Sequence, residues 1–182
     1  MKNARRRSRE FALQALYQWQ ITATGTADLH HQYAAADGYA KADAVLFVAL
    51  ITGAIGAADA LKEQLAPHLD RKWEEVSPVE RAVMLLAAVE MTAMPETPYR
   101  VIINEAIELA KAFGGTDGHK YVNGVLDKLA ATVRADEIAY QKANPSTRKA
   151  ANSSTGAASK ASAVTVKVSA KARRAAVLPA KS

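Results

Sequence analysis

The sequence predicts an all-α protein, and three observations lead to this prediction. Apolar residues recur every three or four positions through most of the chain before residue 140, which is the period of a helix with one buried face. Proline and glycine stand where such helices start and end. The strand-like alternation at residues 164–168 is isolated and has no second strand to pair with.

Charge divides the 182 residues into three parts. Residues 1–9 carry a formal charge of +5, residues 10–141 carry −8 and residues 142–182 carry +9. The last part has no aromatic residue and cannot bury enough apolar surface to offset the entropy cost of ordering. We therefore expect one helical domain over residues 1–141 and a disordered basic Ala/Ser/Lys-rich tail over 142–182. Two basic ends on an acidic body favour local contacts with a polyanion.

Composition excludes several classes of protein. Without cysteine the chain can form neither a disulfide framework nor a thiolate metal site. No apolar run approaches the roughly 18–20 residues that a membrane-spanning helix needs. The N-terminus lacks the apolar segment of a secretory signal. We expect a soluble, cytoplasmic protein that does not contact membranes.

The first predicted helix, over residues 4–22, carries an unusual cluster of cations. Its first two turns hold Arg5, Arg6, Arg7 and Arg9. Cations are unfavourable at a helix N-terminus, because the helix dipole places partial positive charge there. A solvated charged face is one interpretation. Phosphate binding explains the cluster better, since guanidinium groups grip phosphate through paired hydrogen bonds.

Three further helices follow, and they are expected over residues 27–33, 42–69 and 78–94. Thr26 is the expected cap of the first. Gly53 and Gly56 in the second permit either the close approach of a neighbouring helix or a bend. The third has the clearest start in the chain, because Ser77 to Glu80 form a capping box with proline at the first helical position.

The next helix is expected to begin with Thr97 as its N-cap and Pro98 in its first turn. Its apolar face, which extends to Phe113, should be buried. Gly114 and Gly115 are expected to end it, because glycine readily takes the left-handed conformation of a helix C-terminus.

The last helix begins after Thr116 or Asp117, either of which can cap it. Its first turn holds the basic and aromatic cluster His119, Lys120 and Tyr121. Free backbone N–H groups, two basic side chains and an aromatic ring suit this helix start to holding a nucleic-acid strand.

No catalytic constellation emerges from the residues. A phosphate-loop interpretation of residues 114–121 fails, because Tyr121 stands where a metal-binding Ser or Thr is needed. Asp117 is better explained as a cap than as an acid–base partner of His119. The adjacent histidines at 30 and 31 point to different helix faces and lack a third ligand. We predict no enzyme activity, no cofactor and no metal site.

Three stretches of the chain, residues 4–19, 77–91 and 103–130, resemble the NusB family of transcription antitermination factors. The likeness covers about residues 3–134 in order and without large gaps. It implies an all-helical fold of two small helical bundles packed together, with about six to seven helices. It also implies binding to boxA RNA together with the ribosomal protein NusE. That complex joins elongating RNA polymerase with other Nus factors and suppresses termination, notably in ribosomal RNA operons.

The resemblance also implies functional residues. The RNA-binding residues would be Lys2, Arg5, Arg6, Arg7, Arg9, Asp117, His119, Lys120 and Tyr121, and the partner-protein face would include Glu80. Many family members have Phe in place of Tyr121, which preserves stacking on an unpaired base. The basic tail lies outside the family pattern.

Two alternatives remain at this point. One is the related helical RNA-binding module that is fused to some RNA methyltransferases, although no cofactor-binding α/β pattern follows here. The other is a structural or oligomerisation protein whose arginines bind an acidic protein partner. Whether the free protein is a monomer or a homodimer is left open by the sequence.

Overall fold

A computed structural model describes residues 2–144 of the chain, with side chains from Ala4 onward. Within this range it confirms the all-α prediction, with eight α-helices, three 3-10 turns and no strand. The α-helices are α1 (Lys2–Thr22), α2 (Thr26–Ala34), α3 (Ala44–Gly56), α4 (Ala58–Leu65), α5 (Pro78–Ala93), α6 (Tyr99–Phe113), α7 (Gly118–Val133) and α8 (Ala135–Ala143). The 3-10 turns span Tyr39–Lys41, Ala66–His68 and Trp73–Glu75. Residues 142 and 143 of the predicted tail belong to α8, and residues 145–182 lie outside the described part, where the tail stays a prediction.

Helix α5 lies at the centre of the molecule. Every residue from Ala82 to Met91 is buried, which is the pattern of a helix that is covered on all sides. Helices α1, α3 and α4 pack against it from one part of the chain, and α6 and α7 pack against it from the other. Two helical groups are therefore joined along α5. Its start shows half of the predicted capping box: the Ser77 hydroxyl accepts a hydrogen bond from the Glu80 N–H at 3.2 Å, but the Glu80 carboxylate lies against Gly118.

Aromatic side chains fill the core between α1, α2 and α3. Phe11 of α1 contacts the rings of Tyr33 and Tyr39, and both tyrosines contact Phe47 of α3. The ring centroids lie 5.3–6.1 Å apart, in tilted or edge-to-face arrangements that aromatic pairs favour. This cluster fixes the N-terminal half of α1, which carries the arginines.

The long helix predicted over residues 42–69 is wrong, because the structure contains two helices there. α3 and α4 meet at a bend of 77°. A Cβ atom on Gly53 would lie 3.0 Å from Val89 Cγ1, so the glycine lets α3 approach α5 closely. The bend after Gly56 then allows α4 to pack on α5 as well. Among the described residues no single helix could cross a membrane by length and composition, and α3 and α4 meet that test only when counted together.

The start of α6 lies one residue later than predicted, and its cap comes from a distant helix. Pro98 is the N-cap, and the Tyr99 N–H donates to Glu137 Oε1 of α8 at 3.2 Å. Arg134 lies beside it and donates to the carbonyls of Met91 at 2.6 Å and Met94 at 2.9 Å. One guanidinium thus satisfies carbonyl groups that the end of α5 leaves without intrahelical partners.

The turn between α6 and α7 is correctly located, but its predicted conformation is wrong. Gly114 has φ −93° and ψ −177°, which is extended rather than left-handed. Glycine is needed there for space, because a Cβ atom would lie 2.6 Å from the Ala110 carbonyl oxygen. Phe113, expected to be buried, is 40% exposed because it is the last residue of α6.

Candidate nucleic-acid interface

The first candidate surface is the N-terminal part of α1. Arg5, Arg6 and Arg7 are half-buried there. The backbone of Lys2 belongs to α1, but its side chain lies outside the described part. No acidic residue occupies the first turn of α1, so the free N–H groups and the arginines form a locally positive helix end.

Arg9 does not belong to this surface. Its side chain is 5% exposed and donates two hydrogen bonds to Glu90 of α5, from Nε at 2.7 Å and from Nη2 at 2.6 Å. Glu105 of α6 lies 3.8 Å from Nη1. Burial by itself would lower the pKa of Arg9, because it disfavours the charged guanidinium. The hydrogen bonds from Arg9 to Glu90 and the attraction of that carboxylate have a larger combined effect, so the pKa of Arg9 is raised. We therefore leave Arg9 out of the RNA-binding set, since its donors face the core.

Arg6 also lies beside two acidic side chains, but its ion pairs are at the surface. Its guanidinium lies 3.4 Å from Glu10 and 3.8 Å from Glu108 of α6, and all three side chains are partly exposed. Exposed ion pairs of this kind contribute only about 0–1 kcal/mol, so a phosphate can replace the carboxylates at little cost. Glu108 also contacts Lys111 at 3.0 Å, which extends the charged surface along α6.

Arg7 packs against the turn that precedes α3. Its Nη1 lies only 2.7 Å from where a Cβ atom would be on Gly38, whose φ of +82° is a conformation that glycine favours. The Nε atoms of Arg5 and Arg7 are buried and have no hydrogen-bond partner among residues 4–144. Their terminal nitrogens are the groups that remain to contact a ligand.

The second candidate surface is the start of α7, which the structure places beside the end of α6. Asp117 is the N-cap residue, but its side chain makes no capping hydrogen bond. It pairs instead with Lys120 at 2.8 Å, and both side chains are largely exposed. His119 is half-buried next to them. The pair presents one carboxylate and one ammonium group, which suits the donors of a base edge and the oxygens of a phosphate.

Tyr121 is held by residues from a distant turn. Arg71 lies over its ring, with Cζ 4.6 Å from the ring centroid, and Asp70 binds Arg71 through two hydrogen bonds. Burial of the Tyr121 hydroxyl raises its pKa, and the charge of Asp70 adds to that shift. The ring is therefore half-buried, with one face covered by a guanidinium.

Glu80, the predicted partner-protein residue, lies beside this second surface. Its Oε1 would be 2.5 Å from a Cβ atom on Gly118, so the absence of a side chain at Gly118 makes room for the carboxylate. Helices α5 and α7 thus bring Glu80 and Tyr121 into the same region of the molecule. The family resemblance assigned the two residues to different partners, and the sequence gave no sign that they lie close together.

Asp70 and Arg71 are the site residues that the sequence analysis missed. They precede a 3-10 turn, where no helical period marks a functional face, and fifty residues separate them from Tyr121. Only the adjacent opposite charges in the sequence could have drawn attention to them. Elsewhere within residues 4–144, no group of three His, Asp or Glu side chains could hold a metal ion.

The NusB family model matches residues 6–131. The transcription antitermination protein NusB of Dechloromonas aromatica is 55% identical over 141 residues, which cover 78% of this chain and 86% of the relative. That of Chromobacterium violaceum is 54% identical over 143 residues, with 78% and 96% covered. A solved structure of T. maritima NusB superposes with a TM-score of 0.59 at 31% identity, covering 70% of this chain and 90% of that one.

The family match includes the start of α7 and, from Arg6 onward, the N-terminal part of α1, and the two relatives align over most of their length. The helical architecture agrees with that of the solved structure. On these grounds the chain belongs to the NusB family of transcription antitermination proteins.

Proposed function

We propose that this protein binds boxA-type RNA together with the ribosomal protein NusE. The complex joins elongating RNA polymerase with other Nus factors and suppresses termination, notably in ribosomal RNA operons. Membership of an antitermination family supports the general role. One observation carries the detail: the start of α7 combines an aromatic ring, an exposed cation and the predicted partner residue Glu80 in one region.

The two surfaces have different roles in RNA binding: the N-terminal part of α1 binds phosphates, and the start of α7 recognises bases. Arg5, Arg6 and Arg7 contact phosphates and set the position of the strand, since phosphate contacts give affinity without sequence information. Lys2 adds a further charge at the same helix end. These contacts should weaken steeply with added salt, because each neutralised phosphate releases counterions.

Sequence discrimination comes from the start of α7. Single-stranded RNA is recognised by stacking of unpaired bases on aromatic or guanidinium planes and by hydrogen bonds to base edges. The Tyr121 region provides the stacking surface. Asp117 accepts hydrogen bonds from base amino groups, and His119 and Lys120 contact the adjoining base or phosphate.

Glu80 provides the contact with the partner protein. Its carboxylate is half-buried above Gly118, so its position is set by the packing of α5 against α7. A ribosomal protein that normally binds RNA carries many cations, which a fixed carboxylate can attract. Because Glu80 lies next to the RNA residues of α7, NusE and RNA can bind at adjoining positions and support each other.

The stacking assignment is tested by replacing Tyr121 with Ala and, as the matched control, with Phe. Tyr121→Ala should lower affinity for boxA RNA about tenfold, because loss of one base stack costs about 1–3 kcal/mol. Affinity for a scrambled strand should fall much less. Tyr121→Phe keeps the ring and should retain discrimination. Equal losses on both RNAs for Tyr121→Ala, measured by fluorescence anisotropy with NusE present, would contradict the assignment.

A further inference from the structure

We propose that Arg71 is a specificity-determining residue of the RNA site, where its guanidinium and the Tyr121 ring form one composite stacking platform. An unpaired base would stack on the outer face of the guanidinium, with the phenol ring behind it. This inference rests on the proposed function and adds to it a residue outside the two predicted surfaces.

The geometry of the pair supports a platform. The distance of 4.6 Å between Arg71 Cζ and the ring centroid is within the range of a cation–π contact. The Arg71 side chain is 45% exposed, so much of it is open to a ligand. Guanidinium planes, like aromatic rings, are surfaces on which RNA bases stack.

Asp70 fixes the direction of this plane. Arg71 donates to it from Nε to Oδ1 at 2.8 Å and from Nη2 to Oδ2 at 3.3 Å. The hydrogen bond from Arg71 lowers the pKa of Asp70, so the ion pair persists to more acidic pH than the ordinary pKa of an aspartate would allow. Nη1 makes no hydrogen bond or ion pair within residues 4–144, and it is left to donate to an acceptor on the stacked base or its neighbour.

The surrounding charges argue for discrimination rather than general attraction. Asp70 and Glu80 both act on Arg71, so the three side chains together carry a charge of −1. Such a cluster does not draw in a polyanion by its net charge. Arg71 provides a plane on which any base can stack and an oriented donor, Nη1, which distinguishes bases by the acceptors on their edges.

The experiment uses the full-length chain with NusE and compares Arg71→Ala, Arg71→Lys and the control Lys72→Ala. Lys72 is an exposed neighbour, so its loss removes the same charge from the same turn without touching the ring. Dissociation constants are measured for boxA-type and scrambled RNA at several salt concentrations. Thermal melting, followed by circular dichroism, shows whether each variant keeps its fold.

Arg71→Ala should lower boxA affinity about tenfold and scrambled affinity by less than threefold, because stacking tolerates any base whereas the hydrogen bond from Nη1 needs an acceptor in the right position. Arg71→Lys should behave like Arg71→Ala, because an ammonium group keeps the charge but has no plane. Lys72→Ala should weaken both RNAs alike. If Arg71→Ala has a lower melting temperature than the wild-type protein, the comparison of Arg71→Lys with the wild type tests the platform instead.

Two results would overturn the inference. If the Arg71 variants lose no more discrimination than Lys72→Ala while wild-type protein still prefers boxA, the platform is wrong and the proposed function stands. If wild-type protein does not prefer boxA over the scrambled strand, the proposed function fails and the inference fails with it.

Discussion

Arg9 shows how one residue in a basic run can have a structural role. It lies three, four and seven residues before Ala12, Leu13 and Leu16, all of which are buried, so helical period already placed it on the core face of α1. Its partner Glu90 stands within the buried run of α5. A charge at a core position on each of two packed helices indicates a buried ion pair. The core position of Arg9 was overlooked because the four arginines of the cluster were interpreted together as one charged surface.

Removal of Arg9 should therefore affect folding. Arg9→Ala leaves Glu90 buried without its partner, and breaking a buried pair in this way costs about 3–5 kcal/mol of unfolding free energy. Arg6→Ala, which removes an exposed pair of the same helix, should cost no more than about 1 kcal/mol. Urea unfolding of both variants measures the difference. Equal and small losses would show that Arg9 is not held as the structure places it.

At the scale of the element, the start of α5 was predicted from a local signal, but other starts were not. Gly25 rather than Thr26 is the N-cap of α2, and α3 begins at Ala44 after its Asp43 cap, two residues later than predicted. Ser77 caps α5 from three residues away, so the sequence carries the whole signal. The start of α6 depends on Glu137, which lies 38 residues further along the chain. The break between α3 and α4 follows from packing on α5, which periodicity within one helix cannot reveal. Helix propensity and apolar periodicity depend only on residues within one element, so they cannot predict features that contacts with other helices determine.

Two adjacent glycines in the α6–α7 turn, Gly114 and Gly115, allow a matched test of where the turn needs glycine. Gly114→Ala places a Cβ atom against the Ala110 carbonyl, and relieving that contact should cost about 1–3 kcal/mol. A Cβ atom on Gly115 meets nothing within 4 Å, and its φ is not positive, so Gly115→Ala should be close to neutral. Thermal melting compares the two variants. A larger loss for Gly115→Ala would contradict the geometry of the turn.

For the whole molecule, the helical class and the two candidate surfaces could be predicted, but not what surrounds each surface. Regular apolar spacing fixed the class. The motif residues of α1 and α7 carried the resemblance that pointed to RNA. Arg71 escaped notice because only the tertiary fold brings its turn to Tyr121. Glu108 likewise reaches Arg6 only after α6 has packed beside α1.

The uneven distribution of charge along the chain affects how strongly and how selectively the whole molecule binds RNA. The body over residues 10–141 carries −8, so the surfaces on α1 and α7 must act locally against an overall repulsion. The tail over residues 142–182 carries +9 and can attract any polyanion without regard to sequence. Selective binding by the body and unselective binding by the tail are therefore separable contributions.

The most direct test of the account is binding of boxA-type and scrambled RNA, with and without NusE, by the full-length chain and by a chain ending at Asn144. That shorter chain retains all eight described helices. We predict that both versions prefer boxA, that NusE strengthens the preference, and that only the full-length chain shows added unselective affinity at low salt. Unselective binding that disappears with the tail would contradict the account, because the affinity would then reside outside α1 and α7.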